Sequence, residues 1–140
     1  MVVSKTFYFE AAHMLSNYSG ECANLHGHSY KLLVSIAGNP QNGMIIDFKN
    51  IKTIVSNVVN GLDHAFLVNA KTSDKVEMEL KRIILKSNKK LVEIDGRTTA
   101  ENIILYIKSA ILRLLPNSVR LAKLVLYETK ENFVTLEIND

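Results

Sequence analysis

The sequence predicts an α+β fold, a four-stranded antiparallel sheet carrying two main helices on one face. Three observations lead there. Alternating apolar and polar residues mark two strands near the start, helical apolar spacing fills the middle, and two more alternating stretches joined by a polar turn close the chain.

Each element has its own signature. Val2 to His13 reads as a strand with Phe7, Phe9, Ala11 and His13 on one face. A polar loop from Leu15 to Leu25, holding Asn17, Ser19, Gly20 and Cys22, leads to a second strand from His26 to Ala37. There His26, His28, Tyr30, Leu32, Val34 and Ile36 share a face. Asn39-Pro40-Gln41-Asn42-Gly43 is a turn, after which Asp47 caps a helix reaching about Asn60 and closed by Gly61. Its apolar stripe is Ile51, Ile54, Val55, Val58 and Val59. Ser73 or Asp74 caps a short charged helix through about Lys86, and Leu91 to Ile94 is a brief extended piece. Thr98-Thr99-Ala100-Glu101 has capping-box spacing, Thr98 with Glu101, ahead of a helix marked by Ile103, Ile104, Ile107, Ile111, Leu114 and Leu115. Pro116-Asn117 stops it. Val119 to Glu128 and Phe133 to Ile138 then pair as a hairpin across Thr129-Lys130-Glu131-Asn132. The main order is strand, strand, helix, helix, strand, strand, which layers helices on a sheet. Such a sheet has two unpaired edges, and pairing them between subunits is one way to cover them.

At 140 residues, 47% apolar and 22% charged, the chain fits one globular domain over 1–140. One cysteine allows no internal disulfide, and no apolar run approaches membrane-spanning length. The first residues lack the basic start and apolar stretch of a signal peptide, so a cytoplasmic location is expected. A net charge of +3 fits an anionic small-molecule substrate. Its lysines are scattered, without the aromatic-basic interleaving that would indicate nucleic acid.

The chemistry concentrates in one segment. Of four histidines and one cysteine, His13, Cys22, His26 and His28 lie within the first 28 positions. On a strand, His26 and His28 project the same way, about 6–7 Å apart along the backbone. His13, on the adjacent strand, is placed to close the pincer. Three neutral imidazoles leave one position of a tetrahedral zinc ion open, as in catalytic sites. Cys22, in a polar loop beside them, would supply a nucleophile or proton carrier. Asp63-His64 has the elements of a carboxylate–imidazole base, although sequence neighbours need not bond to each other. Glu128 shares strand parity with Leu124 and Leu126 at a strand end, where it needs a partner or is a surface charge; Glu101 has a structural role as a cap.

Together these residues resemble the 6-pyruvoyl-tetrahydropterin synthase family, which includes the 6-carboxy-tetrahydropterin synthases of queuosine biosynthesis. The matching segments are Phe9-Glu10-Ala11-Ala12-His13, Cys22-Ala23-Asn24-Leu25-His26-Gly27-His28-Ser29-Tyr30, Gly43 to Phe48, Leu62 to Leu67, Thr99 to Asn102 and Tyr127-Glu128-Thr129. The resemblance implies a tunnelling fold whose sheets join edge to edge into a trimeric barrel, two trimers stacking into a hexamer with sites at subunit interfaces. It implies zinc on His13, His26 and His28, with Cys22, Asp63 and His64 catalytic. Glu128 would grip the pterin, with Glu101 as a lesser substrate contact. The implied substrate is 7,8-dihydroneopterin triphosphate. The four-residue interval from Cys22 to His26 resembles the branch that releases acetaldehyde and triphosphate to give 6-carboxy-tetrahydropterin. The pyruvoyl-forming branch is the alternative, and a zinc- and pterin-binding module without turnover a third. Arg97-Thr98 where many members have proline, the short Leu15–Glu21 loop and an enlarged Lys71–Lys90 region depart from the pattern.

Overall fold

The computed structural model describes residues 1–139. Strands β1 (Val2–His13) and β2 (His26–Ala37) form a long antiparallel pair in which Val2 meets Ala37 and His13 meets His26. Helix α1 (Phe48–Leu62) leads into β3 (Ala65–Asn69), helix α2 (Lys75–Lys86) into β4 (Leu91–Ile94), and helix α3 (Ala100–Leu112) into the hairpin β5 (Arg120–Tyr127) and β6 (Phe133–Glu137). A short 3₁₀ turn, Glu21–Ala23, lies between β1 and β2.

The sheet has six strands in the order β4-β3-β1-β2-β5-β6, not four. β3 runs parallel to β1, and β4 parallel to β3, so the sheet is mixed. β4 is the extended piece expected at Leu91–Ile94, whereas β3 escapes the alternation test for a physical reason. Ala65, Phe66, Leu67 and Val68 are all buried, because both faces of this part of the sheet are covered.

On one face, α1 contributes Ile51, Val55, Val58, Val59 and Leu62, and α3 contributes Ile103, Ile104, Ile107 and Ile111. They pack on Phe7, Phe9, Tyr30, Leu32, Val34 and Ile36, the residues that alternation assigns inward. α2 lies on the other face, setting Leu80 and Ile84 against Met14, Phe66 and Val68. The unpaired edges are β4 and β6.

The caps explain where the helices begin. Asp47 accepts a hydrogen bond from Lys49 N, and Asp74 accepts from Val76 N and Glu77 N. At α3 the cap is Thr99, which accepts from Asn102 N, and not Thr98. The expected Thr98–Glu101 box does not form: Thr98 is buried, and its hydroxyl donates to the Met14 carbonyl. That bond ties the start of α3 to the end of β1, beside His13.

Candidate metal centre and active site

β1 ends and β2 begins at the same place in the sheet, which brings the three histidines together. His13 lies opposite His26, and Ala11 opposite His28. Gly27 between them is tightly placed, since a Cβ there would sit 3.2 Å from the Ala11 carbonyl oxygen. The Nε2 atoms of His13 and His26 are 3.1 Å apart, as are those of His26 and His28. Two ligands of a tetrahedral zinc ion, each ~2.0–2.1 Å from the metal, are roughly 3.3 Å apart, so the spacing suits such an ion.

The tautomers make the same point. His13 Nδ1 is 2.7 Å from the Thr98 carbonyl oxygen and His26 Nδ1 is 2.7 Å from the Asn24 carbonyl oxygen. A carbonyl only accepts, so each Nδ1 carries a proton, and in the neutral ring Nε2 is left with its lone pair facing inward. Two lone pairs facing each other at hydrogen-bond distance repel unless a cation lies between them. His13 is 2% exposed, and burial, opposed by the Thr98 hydrogen bond and assisted by its histidine neighbours, lowers its pKa to about 4. Burial likewise lowers the pKa of His28, against the pull of Glu128. Burial thus favours the neutral, ligating form of His13 and His28. Beneath them Tyr30, stacked on Phe9 and edge-on to His13 and His28, keeps its phenol protonated because burial and the Glu128 charge both raise its pKa.

A cavity of about 270 Å³ opens beside the cluster, lined by His13, Cys22, Thr99, Glu101, Glu128 and Phe133, among others. Cys22 reaches it from the 3₁₀ turn, which is pinned where Leu15 N donates to the Cys22 carbonyl. Glu128 follows β5, its Oε1 3.6 Å from His28 Nε2, and its backbone is held by the hairpin bond from its N–H to the Asn132 carbonyl. Glu101 stands at the cavity rim. One imidazole of the cluster, His13, thus shares a concavity with a thiol and a carboxylate.

Asp63 and His64 are placed elsewhere. They bond to each other, His64 Nδ1 lying 2.9 Å from Asp63 Oδ2. They line a second cavity of about 910 Å³ with Glu10, His28, Ser29, Phe66 and Lys90, which borders the histidine cluster at His28. The His64 side chain is 78% exposed. Asp63 Oδ1 accepts from Glu10 N, which against the opposing effect of burial, and with help from the His64 contact and the Lys90 charge, holds its carboxyl below the usual pKa. Within one chain this pair and Cys22 do not share a cavity.

Sequence reasoning does not find the carbonyls that orient the imidazoles. Asn24 is two residues from His26, but Thr98 is 85 residues from His13 and has no local signal.

A cluster of three imidazoles that could hold a metal ion, next to a thiol and a carboxylate, has the donor set of a metal-dependent enzyme site. The chain belongs to the 6-pyruvoyl tetrahydropterin synthase family, a family of enzymes acting on pterins, whose profile matches residues 2–139. It is 35% identical over 137 residues to the 6-carboxy-5,6,7,8-tetrahydropterin synthase of Haemophilus influenzae, covering 94% of each chain. A protein of Pyrococcus furiosus named dihydroneopterin monophosphate aldolase is 33% identical over 129 residues, covering 92% of this chain and 90% of its own. Among solved structures, an uncharacterised protein of Wolinella succinogenes superposes with a TM-score of 0.83 at 20% identity, covering 99% of this chain and 98% of that one. The Plasmodium vivax 6-pyruvoyltetrahydropterin synthase does so at 0.76 and 21%, covering 100% and 99%. These two likenesses show the fold, and none of the described helices is long and apolar enough to cross a membrane.

Proposed function

We propose that the chain is a zinc-dependent 6-carboxy-5,6,7,8-tetrahydropterin synthase that converts 7,8-dihydroneopterin triphosphate with release of acetaldehyde and triphosphate. The observation that carries this reading is the meeting of three Nε2 atoms beside a cavity that also holds Cys22 and Glu128. The similarity to relatives named 6-carboxy-5,6,7,8-tetrahydropterin synthase supports the choice of branch.

His13, His26 and His28 would hold the zinc, which when bound supplies Lewis-acid polarisation of the substrate's side-chain oxygens. Glu128 accepts hydrogen bonds from the N–H and amino groups along one edge of the pterin, and Glu101 contacts the substrate at the rim. Cys22 Sγ and His64 Nε2 carry protons to and from the side-chain carbons. Asp63 fixes the role of His64: it occupies the Nδ1–H, leaving the Nε2 lone pair to accept a proton. Because the pair and Cys22 line different cavities, His64 serves the Cys22 of a neighbouring copy. The assembly is a hexamer of two stacked trimeric barrels, with a cytoplasmic location. The second reading is the pyruvoyl-forming elimination on the same site, and the aldolase relative makes dihydroneopterin monophosphate a further compound to supply.

The test is to offer the zinc-loaded protein each of the two phosphate esters and identify products by mass. Acetaldehyde with the carboxy-pterin is expected from the triphosphate. Pyruvoyl-pterin moves the chain to the other branch, and turnover of the monophosphate alone makes it an aldolase. Tight pterin binding without turnover reduces it to a binding module. Mixed subunits test the shared site: Cys22→Ala and His64→Ala chains, each inactive alone, should regain activity when assembled together.

A further inference from the structure

Lys90 closes the Lys71–Lys90 region, whose size departs from the family pattern and whose role the site above does not explain. The region folds as α2, covers Phe66 and Val68, and returns through Asn88, in the left-handed backbone conformation at φ 53°, to enter β4. Its last residue meets the segment carrying Asp63 and His64 at two levels. The Lys90 ammonium donates to the Asp63 carbonyl at 2.6 Å and to the Asn60 carbonyl. The Lys90 carbonyl accepts from Phe66 N at 3.0 Å. One residue thus grips both ends of the 60–66 segment.

That segment has reason to need a grip. The last carbonyls of a helix lack intrahelical partners, and a cation there also meets the negative end of the helix dipole. α1 has no basic residue in its own last turn, so Lys90 supplies that cation from a distant part of the chain. His64 has φ 59°, a left-handed conformation that is unfavourable for a residue with a Cβ. Its other backbone anchor is Glu10, whose carbonyl accepts from His64 N at 2.6 Å and whose N–H donates to Asp63 Oδ1 at 2.8 Å.

We propose that Lys90 is a positioning residue that locks the backbone of the Asp63–His64 turn, so that α2 and its return loop serve the catalytic pair as well as the fold. The proposal rests on the reading that this pair takes part in the reaction, and the experiment separates the two. Lys90→Met keeps the length and loses the charge, whereas Lys90→Arg keeps the charge and the donors. In the assembled, zinc-loaded enzyme, Lys90→Met should lower kcat about tenfold with KM changed less than about twofold, a misplacement effect on the reacting groups and not on binding. Hydrogen exchange of the His64 amide, read by mass spectrometry on peptides covering 59–68, should become at least about tenfold faster, as expected when a local clamp opens. Lys90→Arg should recover most of both. Unchanged exchange, a kcat equal to that of the parent chain, a KM effect as large as the kcat effect, or failure of arginine to rescue overturns the proposal. Should the parent chain turn over neither phosphate ester, the functional reading fails and the exchange measurement alone decides whether Lys90 holds the turn.

Discussion

His13 is buried, with Nδ1 bonded to the Thr98 carbonyl and Nε2 facing His26, and on the proposed reading it is a ligand. Removing one of three ligands is therefore expected to empty the site. His26→Ala should bind zinc at least about 100-fold more weakly, measured by metal analysis after competition with a chelator, since even outer partners of ligands are worth 10–100-fold. Cys22→Ala should leave the ligands untouched, keep its metal and lose about 10²–10⁴-fold in kcat; full activity would remove the thiol from the mechanism. Asp63 gives a pH prediction with a definite sign. Its carboxyl is held below its ordinary pKa, first by the Glu10 N–H, so its contribution to stability is present above that ordinary value and fades as pH falls through the lowered one. Asp63→Ala should thus melt below the parent chain at pH 7, and the gap should close as melts are repeated from pH 5 down toward pH 2.

The elements differ in how clearly the sequence announces them. β1 and β2 are read end to end, because each buries one face and exposes the other, and that alternation also places His13, His26 and His28 together. β3 is hidden because a strand covered on both faces has no alternation to show, and without it the sheet loses its parallel half. The α3 cap misleads for a different reason. Two adjacent threonines fit the spacing, and a tertiary demand for Thr98 beside His13 decides between them. The position of Asp63 and His64 away from Cys22 follows from the path of α1 and β3, which no local pattern encodes. α2 begins at a side-chain cap, Asp74. Asp74→Ala removes the bonds to Val76 N and Glu77 N and should cost about 1 kcal/mol in urea unfolding, with faster hydrogen exchange confined to the first turn of α2.

For the molecule as a whole, the core between α1, α3 and the sheet sets the stability, and Ile107 lies fully buried within it. Ile107→Ala should cost about 2–5 kcal/mol by chemical denaturation, far more than any change at an exposed site. The hydrogen bond from His13 to Thr98 has a further consequence, in the order of events during biosynthesis. A histidine near the beginning of the chain takes its orientation from a carbonyl 85 residues later. A nascent polypeptide that has released only β1 and β2 from the ribosome holds all three imidazoles but not the strut that aims the first of them. On the proposed reading, cation capture would tighten only once Thr98 is in place, and a truncated chain ending before Thr98 should bind the ion about 10–100-fold more weakly.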